Sequence, residues 1–78
     1  MASKSWKVGE WSDGGIIKVV VNGKVTVQAL DWFTKTPMKT KTVELDQPNT
    51  RKNIKDFLDR ITTPYFTSKV LEWVDTKL

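Results

Sequence analysis

Between Lys18 and Lys41 the chain interleaves cations with hydrogen-bonding and aromatic side chains: Lys18, Lys24, Thr26, Gln28, Trp32, Phe33, Lys35, Lys39 and Lys41. This mixture suits single-stranded nucleic acid, because ammonium groups track phosphates while aromatic faces stack on bases, at about 1–3 kcal/mol per base. The ordinary alternative is that these lysines form the solvated side of an antiparallel sheet. Catalysis has far less to work with. The chain has no His and no Cys, so Ser3, Ser5, Ser12 and Ser68 lack an imidazole to activate them and the usual transition-metal ligands are missing. Asp56 and Asp59, the candidate carboxylate pair, fall at i, i+3 on an outer helix face, where acids ordinarily serve solubility. Gly14-Gly15 precedes a strand and not a helix, so the helix-terminus geometry for phosphate is missing. The expectation is a binding protein, not an enzyme, with neither cofactor nor metal.

The elements that position these residues are legible from their periods. Ile16 to Val21 and Lys24 to Leu30 are rich in β-branched residues around Asn22-Gly23, the pattern of a β-hairpin. A two-residue Asn-Gly turn would mix apolar and polar side chains on both faces. A three-residue loop Val21-Asn22-Gly23 instead pairs Val19 with Val25 and Ile17 with Val27. Ile17, Val19, Val25, Val27 and Ala29 then make a dry face, and Lys18, Val20, Lys24, Thr26, Gln28 and Leu30 the other. Upstream, Trp6-Lys7-Val8 reads as an outer strand before the turn cluster Gly9 to Gly15. Downstream, Asp31-Trp32-Phe33 continues the hairpin strand, Phe33 alternating to the dry side unless the chain bends there. Thr34 to Pro37 turns, and Lys39 to Leu45 returns as a strand. We group Lys39 and Lys41 with the polar face.

From Gln47 the period changes. Ile54, Phe57, Leu58 and Ile61 fall at i, i+3, i+4 and i+7, a helical stripe starting at Pro48-Asn49, with Asp56 and Arg60 as an outer i, i+4 pair. Thr63-Pro64 opens a second helix carrying Phe66, Val70, Trp73 or Val74, and Leu78. The fold class is therefore α+β: one domain over residues 1–78, with a curved antiparallel sheet of about four strands over about 5–45. A helix over about 48–61 and a second over about 64–77 follow.

A chain of 78 residues with no Cys builds a modest core without disulfides, which favours support from a second copy, a homodimer. The net charge of +4 is concentrated in the sheet: up to Leu45, seven lysines stand against Glu10, Asp13, Asp31 and Glu44. No stretch approaches the roughly 20 apolar residues of a membrane span, nor does an apolar run follow Met1 to Lys7. The expected setting is intracellular, in cytoplasm, nucleoid or nucleus, with no membrane partner. Of four tryptophans, Trp6 and Trp73 read as packing residues. Trp11, Trp32 and Trp73 together offer a rival reading, a small regulator that binds a larger protein.

The ordered set Trp6-Lys7-Val8-Gly9, Asn22-Gly23-Lys24-Val25, Asp31-Trp32-Phe33, Val43-Glu44-Leu45 and the helix from Pro48 resembles the positive cofactor four family of single-stranded DNA-binding transcriptional coactivators, relatives of the Whirly proteins. The match covers Trp6 to Ile61. The resemblance implies a homodimer associated through its helices, with a basic, aromatic-lined sheet groove for unpaired DNA, RNA being the alternative strand. On matching positions, Lys24 would contact phosphate from the hairpin tip, Phe33 or Trp32 would stack on a base, and Lys39 or Lys41 would hold the backbone. Lys18 enters from the face assignment alone, and Lys35 from its place among the cations. The chain departs from the family where Asn22 and Leu30 replace nearby basic residues, in its longer Gly9 to Gly15 loop, and in Thr62 to Leu78. That last segment could strengthen a dimer, cover a sheet edge or carry a protein partner.

Overall fold

The structure, a computed structural model, describes residues 1–9, 14–45 and 47–78. Four strands, β1 (Ala2–Lys7), β2 (Gly15–Val21), β3 (Lys24–Asp31) and β4 (Pro37–Glu44), form one antiparallel sheet in chain order. Helices α1 (Thr50–Ile61) and α2 (Pro64–Asp75) follow. This is the expected α+β architecture. Strand β1 begins earlier than its apolar residues suggest, because the polar run Ala2 to Ser5 pairs with β2 through its backbone. Part of the Gly9 to Gly15 turn, with Trp11, lies outside the described residues, as does Asp46.

The β2–β3 hairpin turns through Asn22, Gly23 and Lys24, with Gly23 at φ +74° and the Asn22 N–H donating to the Lys24 carbonyl at 2.9 Å. Val21 therefore stays in the ladder opposite Val25, and Val19 meets Val27 rather than Val25. The register differs by two residues from the expected one. An even shift returns every side chain to its own face, so the dry face is as expected.

Both helices cover that face. Ile17, Val19, Val25, Val27 and Ala29 are fully buried against Ile54, Leu58, Val70 and Val74. Truncating a Leu in such a core costs about 2–5 kcal/mol. The Thr50 hydroxyl, at the start of α1, donates to the Gln47 carbonyl at 2.9 Å and also to the Glu44 carbonyl, tying the helix to the end of β4. Thr62-Thr63-Pro64 separates the helices because Pro at the first turn of α2 disfavours helical backbone in the residue before it. Trp73 packs edge-on against Trp6 with ring centroids 5.8 Å apart, placing α2 over β1. Leu71 is buried and Leu78 half-exposed, so the α2 stripe is offset from the expected one. The segment beyond Thr62 thus completes the chain's own core. The buried apolar side chains of both helices face inward, leaving outer faces that are mostly polar and charged, with Tyr65 exposed on α2.

Candidate functional site

The other sheet face carries no helix. Pairing aligns its side chains in rows: Ser5, Lys18, Gln28 and Thr40; Ser3, Val20, Thr26 and Thr42; and Lys24 with Glu44 at one end. The Thr26 and Thr42 hydroxyls lie 3.4 Å apart, marking them as same-face neighbours. At the opposite end Ile16 and Leu30 face each other, both buried though outside the main core, and form a small apolar floor beside Trp32.

Cations and aromatics collect at that end. Lys7 reaches from β1 to place its ammonium 5.3 Å from the Trp32 ring centroid, and Lys35 lies 4.9 Å from the same centroid while donating to the Trp32 carbonyl at 2.7 Å. The strand ends at Asp31 and turns. Asp31 Oδ1 accepts the N–H groups of Phe33 (2.8 Å) and Thr34 (2.9 Å), and Lys35 adopts φ +60°. These donors, Thr34 first and Phe33 second, hold the Asp31 carboxyl below its usual range. The turn carries Phe33 into solvent at 89% exposure, so it does not alternate to the dry side. Its ring is free to stack, whereas that of Trp32 is engaged by two ammonium groups.

Not every expected residue belongs to this surface. Lys18, Lys24, Trp32, Phe33 and Lys35 lie on it or at its rim. Lys39 and Lys41 do not: they pair with Ala29 and Val27 and share the side of the sheet that bears the helices. Their parity with buried Val43 fixes this. A register irregularity at Ala29/Leu30 separates them from Pro37, which pairs with Leu30. Lys24 is also compromised, since its ammonium lies 3.4 Å from Glu44 Oε1. Both groups are more than half exposed, and such pairs contribute only about 0–1 kcal/mol. Lys7, absent from the expected set, joins the site through its contact with Trp32. Its parity with Ser3 and Ser5 on β1 was the available signal.

Few carboxylates stand on this face, whereas the helices pair several of their cations. Among the described residues, Glu44 is the one carboxylate on the open face. On the helices, Lys52 pairs with Asp56 at 3.1 Å, in place of the expected Asp56–Arg60 pair, Lys55 with Asp59 at 2.8 Å, and Arg51 with Asp75 at 3.0 Å. The Lys55 hydrogen bond lowers the Asp59 pKa and raises that of Lys55. A groove of about 420 Å³ between the helices is lined by Arg51 and Lys55 with Asp59, Glu72 and Asp75, so its carboxylates outnumber its cations. Among the described residues no group of three or more His, Cys, Asp or Glu could hold a metal ion, and no helix is long and apolar enough to cross a membrane.

No family model matches the chain, and no curated protein or solved structure matches it significantly.

Proposed function

We propose that this protein binds single-stranded nucleic acid, DNA in the first instance, on its open sheet face and without catalysis. One observation carries the reading: four lysines (Lys7, Lys18, Lys24 and Lys35) stand on or beside a helix-free sheet face whose described carboxylates are Glu44 on the face and Asp31 in the rim turn, and Phe33 projects from its end. Phosphates would follow Lys18, Lys24 and the Lys7–Lys35 pair, and Phe33 would stack on a base. Ser5, Thr26, Gln28 and Thr40 offer neutral hydrogen bonds to sugar and base edges. Such a surface neutralises and stacks with little sequence readout. The resemblance to single-stranded DNA-binding coactivators agrees with this reading; a role in transcription rests on that resemblance alone, and the intracellular setting on composition. One copy presents the whole face, so binding does not require a dimer.

The rival reading, a docking module built on tryptophans, is weakened because Trp73 packs against Trp6 and Trp32 is held by two lysines. Amide chemical-shift mapping with oligo-dT tests the choice. The amides of Lys18, Gln28, Phe33 and Thr40 should move while those of Val70 to Trp73 stay. Shifts confined to the helices, or none, would exclude the open face.

A further inference from the structure

Lys41 points a cation to the side of the sheet where a nucleic-acid strand on the open face would not meet it. That position acquires a use when its surroundings are considered. Strand β4 is a sheet edge, and along it Thr40 and Thr42 face the open side while Lys41 faces the helical side. There Lys41 and α1 enclose a cavity of about 140 Å³ lined by Lys41, Asn53, Asp56, Phe57 and Arg60. Its one carboxylate, Asp56, is already paired with Lys52 at 3.1 Å. Of the four cations on α1, Arg51, Lys52 and Lys55 each have a carboxylate within 3.1 Å. Arg60 has none among the described residues, and it is the one that shares the cavity with Lys41. Two like charges brought to one concave corner repel each other in the free protein, and an anion seated between them relieves that repulsion. Guanidinium and ammonium together suit a phosphate, and Asn53 adds an amide donor.

We propose that a strand bound on the open face turns around the β4 edge beside Thr40 and Thr42 and seats its next phosphates at the Lys41–Arg60 corner. This rests on the open-face reading. It makes the protein a length-sensing binder: a short strand fills the open face, and only a longer one also reaches the corner.

The test uses the full chain with two labelled thymidine oligonucleotides, of about 5 and about 15 nucleotides, spanning the site sizes usual for such grooves. Anisotropy should show the longer strand binding at least tenfold more tightly. The double variant Lys41→Gln with Arg60→Gln should leave the short strand's affinity unchanged and remove most of the longer strand's gain. Its salt slope for the longer strand should fall by about 1.4, two phosphates at about 0.7 each. Lys18→Gln should weaken both lengths. Equal binding of both lengths by the natural chain, or a double variant that keeps the full gain, overturns the corner while leaving the open face standing. If neither strand binds the natural chain, the open-face reading fails and the corner falls with it.

Discussion

Asp31 Oδ1 accepts the backbone N–H of Phe33 at 2.8 Å, and this bond aims the most exposed aromatic ring among the described residues away from the core. Because the carboxylate is held below its usual pKa, its contribution to the turn is present above the unfolded value near 3.9 and lost as pH falls through the lower folded value. The Phe33 and Thr34 amide resonances should therefore titrate together in a pH series followed by NMR, with a midpoint below that of an ordinary Asp. A midpoint at or above the ordinary value would show that the turn does not depend on this carboxylate.

Phe33→Ala should weaken oligo-dT binding by about 1–3 kcal/mol, the usual worth of a stacked base. It should leave the thermal midpoint within a degree or so, because the ring buries almost nothing in the folded chain. Isothermal titration and a melting curve on one sample separate the two effects. A drop in melting temperature matching the loss of binding would mean the ring is structural.

Glu44→Gln should strengthen binding. The substitution releases Lys24 from its 3.4 Å ion pair and removes the one described carboxylate of the open face. The pair is exposed, so fold stability should change by less than about 1 kcal/mol, while affinity at low salt should rise because Glu44 no longer competes with the phosphate at Lys24. An unchanged affinity would remove Lys24 from the site.

Gly14 sits beside the β3 backbone at φ +72°. A Cβ there would lie 2.3 Å from the Leu30 carbonyl oxygen, a clash with backbone that cannot rotate away. Gly14→Ala should cost more than the roughly 1 kcal/mol expected of the left-handed conformation alone. Gly23→Ala, with a similar φ but open space around it, should cost about that smaller amount. Urea unfolding of the two variants gives the comparison, and equal losses would contradict the contact with Leu30.

Much of this fold could be read from residue order. The change from a period of two to a helical period after Gln47 marks where the sheet ends, and the β-branched run from Ile16 to Val27 assigns the faces even though the hairpin register was displaced by two. Lys39 and Lys41 lie opposite their expected face for a local reason: despite their charge they alternate in step with Val43, an apolar residue destined for the core. The irregularity near Leu30 and the turn from Asp31 to Thr36 also depend on backbone hydrogen bonds that no single residue announces. Lys7 over Trp32 joins β1 to the turn after β3, which also carries Lys35, and such convergence follows only from the strand order.

The central claim, an open sheet face that holds unpaired nucleic acid mainly through phosphates, is tested most directly by titrating the chain with labelled oligo-dT from about 50 to about 200 mM salt. The account predicts micromolar or tighter binding at the low end, with log affinity falling by about 0.7 for each phosphate contacted, hence a slope near −2 to −3 for three or four lysines. Lys18→Glu should reduce it. No binding at about 50 mM salt, or binding indifferent to salt and to Lys18→Glu, would contradict the account.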